Sequence, residues 1–231
     1  MDKWIRGLIL ALISVFAVCL WIDAFGAPVK SVVAGKKDSS GNGAPKPYDA
    51  EVEYLQSTGT QWIDTGVYMN GLDSVEIKIR RTSAVDCGVF GSRVGYTNNQ
   101  YMLRVESNGL FDFYYNNKGA IEYWSLALDA DYSIEIGDGK IFINDSNVKT
   151  YTAESFSLIN KCHLFKANQY QNLFRGRIYY FRIDEKIDLI PVRFTNEQGV
   201  SEGAMFDRVS GQLFRNQGTG DFVIGPDKQG E

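Results

Sequence analysis

The chain is poor in the residues that most catalytic and metal sites need. Its 231 residues include one histidine, three cysteines and five prolines. A histidine-built metal cluster is therefore excluded, and a Ser-His-Asp arrangement has a single candidate base, His163. His163 sits between Cys162 and Leu164 in an apolar run, where a satisfied core or sheet-face histidine is the expected reading. Phosphate-loop and dinucleotide glycine patterns are missing. So is a dense Lys/Arg cluster: the net charge is −4, which disfavours a phosphate backbone as partner and excludes nucleic acid. No window shows an amphipathic helical stripe of about ten residues or more, beyond single turns expected near 152–158 and Leu128. No repeat of roughly 20–50 residues points to a propeller or solenoid.

What is present begins with an address. Residues 1–26 read as a signal peptide, with Lys3 and Arg6, an apolar stretch over 7–22, and Ala24, Phe25 and Gly26 at the cleavage positions. Cutting after Gly26 avoids Pro28 next to the scissile bond. An uncleaved anchor is the alternative, but about 16 apolar residues reach only about 24 Å against a hydrocarbon core of about 30 Å. A lipoprotein signal at Cys19 would have bulky Val18 before it. This segment is the one expected link to a membrane; the protein is expected to be secreted, cell-surface or periplasmic.

Residues 27–48 are rich in Gly, Ser, Lys and Pro and read as a flexible linker, too apolar-poor to fold. They carry a charge of +3 and leave −7 on the remainder, residues 49–231. After export, Cys87 and Cys162 remain, either bridged or as two buried free thiols. A bridge would close a loop of about 75 residues and contribute roughly 4 kcal/mol in the chain-entropy picture.

From residue 49 the apolar period becomes two. Val75, Ile77 and Ile79 alternate with Glu76, Lys78 and Arg80, the mark of a half-buried antiparallel strand. Tyr132, Ile134 and Ile136 repeat it, and Asp138-Gly139 before Ile141 and Ile143 signals a hairpin. Further strands are expected over 87–94, 100–106, 110–115, 120–126, 148–151, 162–166, 176–183, 189–194, 204–208 and 212–215. So many short strands between turn residues argue for an all-β sandwich or barrel.

Two segments carry a resemblance: YLQSTGTQWIDTG (54–66) and AMFDRVSGQLFRNQGTGDFVIGPD (204–227). With KIFINDSNVKTYTA, HLFKAN and GRIYYFRI between them, the region 50–227 resembles the concanavalin A-like, laminin-G-like lectin/glucanase sandwiches of bacterial exported proteins. The resemblance implies a two-sheet antiparallel jelly roll with both chain ends in one sheet system. The motifs read mainly as architecture. Gly59 and Gly66 suit unusual backbone, Gln56, Ser57, Thr58 and Thr60 can bond an irregular turn, and either Trp62 or Ile63 enters the core. Asp207 and Arg193 are expected to pair beneath the closing loop, and residues 216–220 to form the last turn.

A glucanase of this type would carry clustered carboxylates of the E-x-D-x-x-E kind, and none occurs. Glu135 and Asp138 fall on opposite faces, and Asp184, Glu185 and Asp188 look like a solvated hairpin tip. No cofactor is expected. Asn144, Asp145 and Asn147 are oxygen donors for calcium or simply turn formers. What remains is aromatic surface: Tyr96, Tyr101, Tyr114, Tyr115, Tyr123, Trp124, Tyr170, Tyr179 and Tyr180. In adjacent pairs one ring should face each side of a strand. Tyr101, Arg104, Tyr114, Tyr123 and Trp124 are the candidate ligand contacts, unless the outer rings lie under loops. The expectation is thus a non-catalytic binding or adhesion module, with a glycan or a surface protein as partner. A structural sandwich of a surface or phage-like assembly is the alternative, and a glycoside hydrolase the second.

Overall fold

The computed structural model describes residues 46–95, 99–168 and 170–229, without the side chains of 122 and 123. The expected signal peptide (1–26), the expected linker up to residue 45, Cys19 and Tyr96 lie outside the described residues. The strands are β1 (Ala50–Glu51), β2 (Leu55–Thr58), β3 (Ile63–Asn70), β4 (Val75–Arg81), β5 (Cys87–Arg93), β6 (Gln100–Val105), β7 (Leu110–Tyr115) and β8 (Ala120–Ser125). There follow β9 (Asp131–Gly137), β10 (Lys140–Ile143), β11 (Ser146–Thr150), β12 (Ser157–Leu164), β13 (Arg175–Ile183), β14 (Ile187–Thr195), β15 (Ser201–Asp207), β16 (Leu213–Phe214) and β17 (Val223–Ile224). No helix occurs among the described residues, and the turn expected over 152–158 is extended chain running into β12.

The strands form two antiparallel sheets. One has 11 strands, with the path β11-β10-β9-β4-β13-β14-β15-β16 and with β1, β2 and β17 added along β14 and β13. The other has six, in the order β3-β12-β5-β6-β7-β8. Alternation explains the layering. Val75, Ile77 and Ile79 of β4 are fully buried, as are Leu103, Phe111, Phe113 and Tyr115 of β6 and β7. The two sets belong to one core, and Phe90 of β5 meets Phe181 of β13 across it at 5.3 Å between ring centroids. Burying each such ring contributes about 2–3 kcal/mol. Both central residues of the Asp138-Gly139 turn have positive φ, as the hairpin signal requires.

The two resembling segments do close the domain. Leu55 and Gln56 pair with Ile224 and Val223, and Val52 bridges to Asp227. Gln61 receives the Thr58 N–H at 2.9 Å, the Thr219 N–H donates to the Thr60 carbonyl at 3.1 Å, and the Asn216 side chain accepts from Trp62 N–H at 3.2 Å. The opening turn and the closing turn thus clasp each other. Ile63 is the core residue, while Trp62 is half-buried.

Two details depart from expectation. Arg193 pairs with Asp227 at 2.7 Å, not with Asp207. Buried Asp207 instead accepts from Asp188, Val209 and Ser210 N–H and the Ser210 hydroxyl, which orders the 207–211 turn. Burial alone would raise its pKa, but these donors hold it below the usual carboxylate range. Residues 46–48 also pack on the domain: Tyr48 meets Phe206 edge-on at 4.9 Å and donates to Glu51 at 2.8 Å.

Cys87 and Cys162 are both free and buried. β12 pairs with β5 so that His163 faces Gly91 and Leu164 faces Phe90, which sets Cys162 beside Ser92. Five strand residues then separate it from Cys87, roughly 17 Å along the strand and far beyond the roughly 7 Å limit for bridged Cα atoms. The bridge reading is corrected to two core thiols. Burial pushes the Cys87 pKa up to about 11 and that of Cys162 further still.

Candidate functional site

Tyr101, Leu103 and Val105 of β6, and Phe111, Phe113 and Tyr115 of β7, face the core. Alternation sends Arg104, Asp112 and Tyr114 to the outer face of the six-stranded sheet, where the register sets Arg104 beside Asp112 and Gly88. Arg104 is the hub. Its Nη1 donates to the Tyr114 hydroxyl at 2.9 Å and lies 3.3 Å from Asp112; its Nη2 lies 3.1 Å from Glu106 and 3.5 Å from Asp86. Burial opposes its charge, but the Tyr114 bond, aided by Tyr170 and Asp112, raises its pKa. The result is a guanidinium held on four partners with 18% of its side chain still exposed.

A segment leaving β12 lies across this face. Phe165 enters it with φ of 64°, a strained value for an aromatic residue, and packs on Phe222 at 4.8 Å. Asn168 N–H then bonds Gly91 O at 3.0 Å, and Gly88 N–H bonds Asn172 O at 3.0 Å. A Cβ on Gly88 would come within 2.9 Å of the Ala167 nitrogen and 3.1 Å of the Tyr170 ring, so only glycine lets the segment lie so close. Tyr170 is thereby set on the sheet face, with Arg93 stacked 5.0 Å from its centroid.

The candidate contacts divide as follows. Arg104 and Tyr114 come together. Tyr101 does not join them: it is fully buried, and its hydroxyl donates to Asp73 O at 2.9 Å, so it is corrected to a core residue. Its phase with Leu103 and Val105 was the available signal. Trp124 is 48% exposed on the edge strand β8. Tyr123 lies on the same strand, and its side chain is outside the description. Tyr170 stands among the aromatic residues read as surface but not among the five candidate contacts, and Gly88 carries no sequence signal of its own; the crossing segment is what brings Tyr170 to this face. Tyr179 and Tyr180 depart from the one-ring-per-face rule. A bulge between Ile178 and Tyr180 leaves two residues between the inward Ile178 and Phe181, so both tyrosines are only half-buried.

The other candidates have structural work. Asn144 accepts the Ser133 N–H at 2.9 Å, fixing the β10–β11 turn, and Asp184 accepts the Ser74 N–H at 2.9 Å. Asp188 binds Arg182 and Arg208. His163 is a sheet-face residue, 9% exposed, stacked on Trp62 at 4.4 Å with Nε2 3.2 Å from the Asn168 amide. Burial pushes its pKa down to about 4, against the pull of Asp64. The unfolded chain takes up this proton near pH 6.5, so the stability from a neutral His163 is complete above that pH and is lost on descent to about pH 4. Between pH 7 and 5 the wild type should lose about 1–2 kcal/mol more than His163→Gln. Thermal melts at the two pH values check this, and identical pH dependence in both proteins would refute it.

No family model matches the chain, and no curated protein matches it. Among solved structures, Trypanosoma rangeli sialidase in complex with the inhibitor DANA aligns with 49% of this chain and 20% of its own, at 10% identity and a TM-score of 0.38. A mutant of Trypanosoma rangeli sialidase displaying trans-sialidase activity aligns over the same shares, at 10% identity and a TM-score of 0.37. The chain therefore spans 20% of the length of these structures, and likeness at this level says nothing of its activity.

Proposed function

We propose that the chain is a non-catalytic binding module of an exported bacterial protein, a concanavalin A-like sandwich that holds carbohydrate on the outer face of its six-stranded sheet. The observation that carries this reading is the Arg104 hub, a fixed guanidinium with the Tyr114 ring and hydroxyl beside it and Tyr170 on the same face. A sugar offers hydroxyls to such fixed polar groups and a C–H face to such rings, and rigid placement lowers the ordering cost of binding. The surrounding acids support a non-catalytic role. Asp86, Glu106 and Asp112 all lie against Arg104, so each is engaged in the ion-pair cluster that fixes the guanidinium, and none faces a second carboxyl group across a cleft as an acid–nucleophile pair would.

A glycan array probed with the full chain, with and without calcium, is the direct test. Binding to at least one glycan class is expected, weakened at least ten-fold by Tyr114→Ala. Blank arrays from a cooperatively melting protein would sink the proposal. A protein-contact role is the second reading. Tyr68, Leu72 and Ile159, exposed by 55%, 56% and 69% near one end of the β3–β12 ladder, favour it.

A further inference from the structure

A cleft of about 540 Å³ opens where the segments after β2 and β6 meet those before β5 and β13; Gly59, Asp86, Ser107, Gln171, Asn172 and Arg175 are among its walls. It is continuous with the Arg104 face. Asp86 belongs to both, and Gln171 follows Tyr170 directly. We infer that this cleft is a subsite for a sugar residue bearing a carboxylate, at one end of the glycan proposed above; the inference rests on that reading.

Four features argue for an anionic group there in a domain that is itself acidic. Arg175 is exposed at the start of β13, and among the described residues no carboxylate lies within ion-pair distance of it. Its guanidinium is set against bare backbone: Gly59 has φ of 106°, and a Cβ there would meet Arg175 Nε at 2.6 Å. Behind the wall lies a second cation. Arg81 is 3% exposed, also lacks a carboxylate partner among the described residues, and donates to the carbonyls of Leu126 and Ser107 at 3.0 Å and, more weakly, of Ser83 at 3.4 Å. Its Nε has no acceptor. An unpaired cation in a poorly hydrated interior projects a weakly screened field, and Ser107 places that field at the cleft.

The fourth feature is the state of Asp86, an acid in the wall. One of its oxygens accepts the Ser107 N–H at 2.6 Å and the other faces Arg104 at 3.5 Å, so both oxygens are engaged within the protein. Of the two charged residues in the cleft wall, Asp86 has both oxygens engaged, while Arg175 is left facing the cleft. A planar carboxylate can take a guanidinium fork through both oxygens, while the side-chain amides of Gln171 and Asn172 offer donors and acceptors to ring hydroxyls. Ala84, Val85 and Leu173 add the small apolar surface that a sugar's C–H face needs.

Uronic and sialic sugars both carry the required group, and a calorimetric titration of the full chain separates them. The probes are trigalacturonate against its methyl ester, and sialyllactose against lactose. At least one acidic probe should bind ten-fold or more tightly than its neutral counterpart. Arg175→Gln should erase that difference and leave the melting temperature unchanged, since the side chain is exposed. Equal affinity for charged and neutral probes overturns the inference and leaves the glycan reading standing. A charge preference that survives Arg175→Gln overturns the assignment to this cleft. No binding in any arm overturns the inference, and together with a blank array it removes the glycan reading as well.

Discussion

Gly218→Ala should destabilise the domain by about 3 kcal/mol, the upper part of the range for an overpacked site, and lower the melting temperature by roughly 6–12 °C. A Cβ at this position would stand 1.9 Å from the Thr60 carbonyl oxygen. Neither side can readily give way. The same carbonyl accepts the Thr219 N–H at 3.1 Å, Thr60 Oγ1 donates to Thr219 O at 2.8 Å, and Gly218 N–H is held by Asn216 Oδ1 at 2.8 Å. The added methyl must therefore open the clasp between the first and last turns or distort both. Gly95→Ala is the matched control, because nothing lies within 4 Å of a Cβ built there. Differential scanning calorimetry decides the matter. A Gly218→Ala protein that melts with the control would mean that the clasp contributes little to closure.

Arg104→Leu is the second large effect, expected at about 3 kcal/mol of lost stability together with loss of any binding on that face. Its magnitude follows from Asp112, which is 1% exposed and lies 3.3 Å from Arg104. Removing the cation takes the ion-pair partner from a buried carboxylate as well as breaking a contact, and the weakened compensation of that buried charge is the costlier part. The double variant Arg104→Leu/Asp112→Leu should recover at least half of the loss, since it removes the buried charge too. Urea titrations of the two single variants and the double variant measure this. A double variant no better than Arg104→Leu would show that the pair acts through shape and not charge.

The sequence and the structure agree where period two is uninterrupted. Val75, Ile77 and Ile79 face the core as read, and Asp138-Gly139 turns as its residue types demand. The opening and closing segments also pair as their resemblance implies. Agreement fails where tertiary register decides. Cys87 and Cys162 look like a pair in a list of residues, yet β5 and β12 meet in a register that keeps them apart. Tyr179 and Tyr180 look like one ring per face until a bulge adds a residue between inward positions. At the candidate site, alternation separates Arg104 from Tyr101, since Tyr101 shares its phase with Leu103 and Val105; an exposed-ring reading that ignores phase gets this residue wrong. Arg81 is the converse case. It continues the phase of Val75, Ile77 and Ile79, and that phase carries it into the interior. Tyr170 could be read as a surface aromatic but not as a neighbour of Arg104, because its place depends on Gly88 in a strand far away in the chain.

The Val52–Asp227 bridge and the Lys228 N–H bonded to Glu51 O at 2.8 Å set residues 51–52 and 227–228 side by side in antiparallel array. Entry and exit therefore sit on one rim of the body. A short connector could join them into a ring, and a new opening at the Asp138-Gly139 turn would leave every ladder intact. The same geometry lets the whole unit be spliced into a loop of a host protein without prying that loop apart.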